Sequence, residues 1–127
     1  MLAIEQMCER RKQMNIEERI EQLEFQLELL FENRGIDRLF FESKITRAQF
    51  LHIADLMDYV SAKICNGEEV SKDFFEDEIL SIVPQKRGDY HFSELIAKCW
   101  YDEHQWPEVF EYFYGDLPKY SYLKNHN

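Results

Sequence analysis

The chain has 127 residues, 45% of them hydrophobic, with 15 basic and 25 acidic side chains and a formal net charge of −10. That length fits one domain able to bury a core without metals or disulfides, and the hydrophobic share excludes disorder by composition. The acidic balance repels a phosphate backbone, which excludes generic nucleic-acid binding; only Arg10–Arg11–Lys12 and Lys86–Arg87 form small basic patches.

Four Gly and three Pro leave long stretches without a breaker, which favours helices. Residues 1–14 are weakly patterned and read as an N-terminal extension, either helical or frayed. The first strong helix starts at Asn15, an N-cap with Glu18 three positions on, and closes at Gly35. Ile16, Ile20, Leu23, Leu27 and Leu30 step by four and three, an a/d seam expected to face the chain's own core. Glu17, Glu21, Glu24, Glu28 and Glu32 form a separate acidic strip, and Arg19 is the charged residue at the edge of the remaining arc. That arc carries Phe25 and Leu29 beside Gln22, Gln26 and Asn33, so it is apolar and amide-rich. A second buried contact explains it, either with a partner subunit or inside the same domain. The pattern does not separate the two, and the expectation taken is a homo-oligomer contact through helix 15–34 at Gln22, Phe25, Gln26 and Leu29.

The segment IDRLFFESK follows, with Asp37 as its opening cap. Thr46 caps a helix closed by Gly67, with Phe50, Ile53, Met57, Val60 and Ile64 inward and His52, Asp55, Tyr59 and Lys63 outward. Ser71 caps the next, with Phe75, Ile79, Ile82 and Val83 inward and Pro84 ending it. After the polar turn QKRGD, residues 91–102 place Phe92, Leu95, Ile96, Cys99 and Trp100 on one stripe. Pro107 suits a first helical position, and Trp106, Val109, Phe110, Phe113 and Tyr114 lie together behind it. Tyr101 and Tyr112 fall off these stripes and are candidates for an external contact. The tail LPKYSYLKNHN has no periodicity, although Tyr120, Tyr122 and Leu123 are fit to dock on a neighbouring surface. The expected fold is all-α, a single-domain bundle of five to six helices with a long N-terminal helix. Residues 15–117 form the domain and 118–127 the tail.

Chemistry leaves few traces. Cys8, Cys65 and Cys99 are odd in number, widely spaced and without a CxxC, which argues for reduced thiols rather than disulfides or a structural zinc. No GxGxxG, P-loop, GxSxG or HExxH occurs, and the KRGD loop lacks the glycine spacing that wraps a phosphate. His52 with Asp55, and His91 with Glu94, are one helical turn apart, a spacing that suits a metal or an acid/base pair. Their order and outward placement differ from the inward ExxH pairs of helical di-metal sites. Asp102–Glu103–His104 reads as an exposed turn. No catalytic residue, cofactor or metal ligand is therefore assigned. No apolar run reaches a membrane span, and MLAIEQMCERRKQM lacks the order of a signal peptide, so the cytoplasm is the expected location.

The run RIEQLEFQLELL, the IDxxFF segment, FxxEILxIVP and the closing EVFEYFYGDL together resemble the small YhaI-like proteins of Bacillus and its relatives, over roughly residues 16–117. The resemblance implies an all-helical, self-associating cytosolic domain and carries over no catalytic residue. The leading expectation is a non-enzymatic protein-interaction or regulatory module, with another protein as a further partner. The alternatives are a small enzyme or ligand- or metal-binding protein using His52, Asp55 and Tyr59 or His91 and His104, and an acidic nucleic-acid mimic built on the glutamates of helix 15–34.

Overall fold

A computed structural model describes residues 14–124, which form seven α-helices and two short 3-10 turns without a β-strand. The expected N-terminal extension lies outside the described residues except for Met14. In chain order the helices are α1 (Ile16–Glu32), α2 (Gly35–Glu42), α3 (Arg47–Cys65), α4 (Lys72–Ile82), α5 (His91–Asp102), α6 (Pro107–Tyr114) and α7 (Ser121–Lys124). The 3-10 turns are Pro84–Lys86 and Pro118–Tyr120.

Local chemistry sets most boundaries. The Asn15 side chain accepts the Glu18 backbone N–H at 2.7 Å. Thr46 and Gln49 form a reciprocal capping box at 3.1 Å each way, and Ser71 accepts from Phe74 N–H at 3.2 Å; each satisfies amide groups that the first helical turn leaves unpaired. Gly67, at φ 78°, closes α3 in the left-handed region. Two boundaries differ from expectation. Asn33, not Gly35, takes the left-handed residue after α1 (φ 50°), and its N–H returns to the Leu29 carbonyl; Asn is among the few side chains that tolerate this region. Gly35 instead begins α2. Asp37 caps from inside the first turn of α2, where its buried carboxylate accepts the Arg34 backbone N–H at 3.1 Å and the Arg34 guanidinium at 2.7 Å.

The core is rich in aromatics. Phe25 of α1 meets Phe50 of α3 at 5.9 Å. Phe50 and Phe40 both meet Trp100, at 6.4 and 5.6 Å, and Trp100 meets Trp106 edge-on at 4.9 Å. A second group stacks Phe75 on Phe113 at 4.9 Å and sets Phe110 between Tyr101 and Tyr120. Between α5 and α6, His104 and Trp106 adopt positive φ (62° and 44°). Such backbone is costly unless its surroundings fix it; here the Trp106 indole is held by Trp100 and by its N–H to Asp58 Oδ1 at 2.7 Å.

Trp100 joins α2, α3 and the α5–α6 turn and is 4% exposed. Trp100→Ala is expected to cost about 3–5 kcal/mol in urea unfolding, the range for a buried large aromatic. A loss below about 1 kcal/mol would contradict its place in the core.

Candidate functional site

α1 carries apolar side chains on two opposite faces, because residues advance about 100° each around a helix. Phe25 and Leu29 point into the domain and are each 4% exposed. The Arg47 guanidinium lies 5.0 Å above the Phe25 ring and bonds Glu28 at 2.9 Å, with Glu21 at 3.6 Å. Beside them the Gln22 amide donates to the Ile45 carbonyl at 3.2 Å.

This corrects the assignment of faces. The chain's own residues cover Phe25 and Leu29, and Gln22 is spent on an internal hydrogen bond, so this side is the intramolecular contact; Gln26 is half-buried at its edge. The a/d seam expected in the core faces away from it. Its five residues, Ile16, Ile20, Leu23, Leu27 and Leu30, together with the adjoining Phe31, range from 48% exposed at Leu30 to 87% at Phe31. Scattered exposed apolar side chains are normal, but a contiguous row along one helix is a candidate interaction surface. Glutamates border it: Glu17 and Glu24 lie along one edge, and Arg19, Gln26 and Asn33 along the other.

The remaining candidates stay apart from this seam. Tyr101 is half-buried and packs on Phe110 at 4.8 Å. Tyr112 is 44% exposed, and its hydroxyl accepts the Val70 N–H at 3.1 Å. His52, Asp55 and Tyr59 are exposed on α3. Tyr59 lies 6.4 Å from the Phe74 ring and under Lys63 at 5.0 Å, beside a shallow surface groove. His104 lies exposed in the α5–α6 turn, in a depression shared with Tyr101, Asp102, Pro107 and Glu111. Among the described residues no three His, Cys, Asp or Glu side chains stand close enough to hold a metal ion. Burial, aided by the nearby Asp102 charge, pushes the Cys99 thiol pKa up, which keeps it protonated and poorly nucleophilic.

One polar cluster was not apparent from the sequence. Glu94 is buried on α5 and accepts from Lys119 Nζ at 2.6 Å and the Tyr120 hydroxyl at 2.5 Å, with His91 Nδ1 at 3.7 Å. It anchors the C-terminal segment, where Tyr120 and Leu123 pack on the core while Tyr122 stays exposed. Burial alone would raise the Glu94 pKa, but the hydrogen bonds from Lys119 and Tyr120 and the Lys119 charge outweigh it, and the net shift is downward. The Tyr120 hydroxyl is pushed up, by burial first and then by its bond to the carboxylate.

The chain matches no protein-family model, and no curated protein or solved structure is significantly similar to it.

A carboxylate whose pKa is lowered by folding stabilises the fold above its unfolded pKa and loses that contribution as pH falls. The stability difference between the parent chain and Glu94→Gln is therefore expected to be steady near neutrality and to shrink as pH falls below the ordinary glutamate value of 4.5. Urea titrations of both proteins across that range check it. A difference that does not change with pH would contradict the anchoring role.

Proposed function

We propose that this chain is a non-enzymatic, self-associating interaction module that works through the outward seam of α1. The observation that carries the reading is the exposure of Ile16, Ile20, Leu23, Leu27, Leu30 and Phe31 in one continuous row. Fully burying one such side chain is worth about 1.5–3 kcal/mol. Six on each of two chains set an upper bound of about 18–36 kcal/mol, reduced because these side chains are already partly covered in the single chain, against an association cost of about 4–15 kcal/mol; self-assembly of this kind depends on concentration. A cytoplasmic setting and kinship with the YhaI-like proteins belong to the same proposal. They are supported by the exposed Cys65 thiol, by the absence of a helix long and apolar enough to cross a membrane among the described residues, and by the sequence pattern.

Two double substitutions separate the faces of α1. Leu23→Glu with Leu27→Lys keeps a favourable i,i+4 charge order on the helix and is expected to bring the mass in light scattering down to one chain with helix content unchanged. Phe25→Arg with Leu29→Glu instead strikes the core and is expected to lower the thermal midpoint or prevent folding. A Leu23/Leu27 variant that keeps the parent's mass, or a parent that is monomeric throughout, would refute the proposal.

A further inference from the structure

We infer that the occupant of the seam is the same seam of a second copy, with the two α1 helices parallel and in register, so that Arg19 of each chain faces the partner's Glu24. This rests on the self-association proposed above and adds the identity and direction of the partner. The heptad frame places Ile16, Leu23 and Leu30 at d and Ile20 and Leu27 at a. Glu17, Glu24 and Phe31 then occupy e, and Arg19, Gln26 and Asn33 occupy g.

The two edges differ in charge, and that difference selects the direction. In a parallel pair the g edge of one helix meets the e edge of the other, and residues five apart come together. Arg19 precedes Glu24 by that spacing. In an antiparallel pair e meets e, so Glu24 and Glu17 confront the same glutamates of the second copy, which is unfavourable.

Among the described residues, neither Arg19 nor Glu24 is in an ion pair within 4.0 Å. Neither Arg19 nor Glu24 has an oppositely charged residue three or four positions away. Arg47 bonds Glu28 and approaches Glu21, while Glu24 acts on it only through the weaker field of a more distant charge. The seam also lies opposite Phe25 and Leu29, so each domain hangs on the outside of the helix pair. Like side chains then meet in layers: Ile20 on Ile20, Leu23 on Leu23, Leu27 on Leu27.

Charge reversal tests the direction in the full-length chain. Sedimentation velocity over a concentration series is run on the parent, Arg19→Glu, Glu24→Arg and the double swap. Each single reversal replaces two exposed ion pairs by two repulsions and is expected to raise the Kd of association by about tenfold. The double swap recreates the pairs with reversed sign and is expected to restore it. Singles that change nothing, a Glu24→Arg that tightens association, or a double swap as weak as its singles would each overturn the parallel pairing. If the Leu23/Leu27 double variant still dissociates in any of these cases, self-association stands and only the direction fails. A parent that sediments as one copy at every concentration overturns both, and leaves the seam to a different partner.

Discussion

A helix has one circumference, and a domain this small covers only part of it. α1 carries large apolar side chains on two sides about half a turn apart, so one of them must remain outside its own core. What decides the side is the surface underneath. Phe25 fits against Phe50 below the Arg47 guanidinium, and the Gln22 amide meets the Ile45 carbonyl at the junction of α2 and α3. Leu29 completes the buried contact. A flat row of aliphatic residues has no use for an aromatic socket flanked by polar backbone, whereas Phe25 with its neighbouring amide does.

The rest of the helical layer depends on this docking. α1 packs mainly on α2, and α2 packs on α5 through Phe40 and Trp100. The ion pairs from Arg47 to Glu28 and Glu21 are solvent-exposed and add little to stability by themselves. They lie on the docked side of α1, with the Arg47 guanidinium over the Phe25 ring, and it is the burial of Phe25 and Leu29 that presents Leu23 and Leu27 outward. The ion pairs also engage two of the five glutamates in the acidic strip, which makes that strip less like a uniform row of phosphates.

Three helix starts were legible because each rests on a local pair: Asn15 with Glu18, Thr46 with Gln49, Ser71 with Phe74. The buried stripes of α3 to α6 were legible because residues such as Ile53, Met57 and Val60 follow one period and have polar residues opposite. The faces of α1 were reversed because counting aliphatic residues gives the core to the larger set. The amide flank of Phe25 was the contrary signal: a half-buried Gln needs a backbone group to bond, and loop carbonyls inside the domain supply one. The anchoring of the C-terminal segment was out of reach of any periodic reading. Glu94 and its partners Lys119 and Tyr120 are brought together only by the packing of α5 against the chain end, and spacing along the sequence pointed Glu94 to His91 alone.

The two faces of α1 can be read in one experiment. Hydroxyl-radical footprinting with mass spectrometry, carried out across a dilution series of the unmodified chain, reports side-chain exposure residue by residue. If the helix lies between its own domain and a second copy, Phe25 and Leu29 stay protected at every concentration, while Leu23, Leu27 and Phe31 gain protection as concentration rises. Equal labelling of Leu23, Leu27 and Phe31 throughout the series, or labelling of Phe25 as strong as theirs, would contradict it.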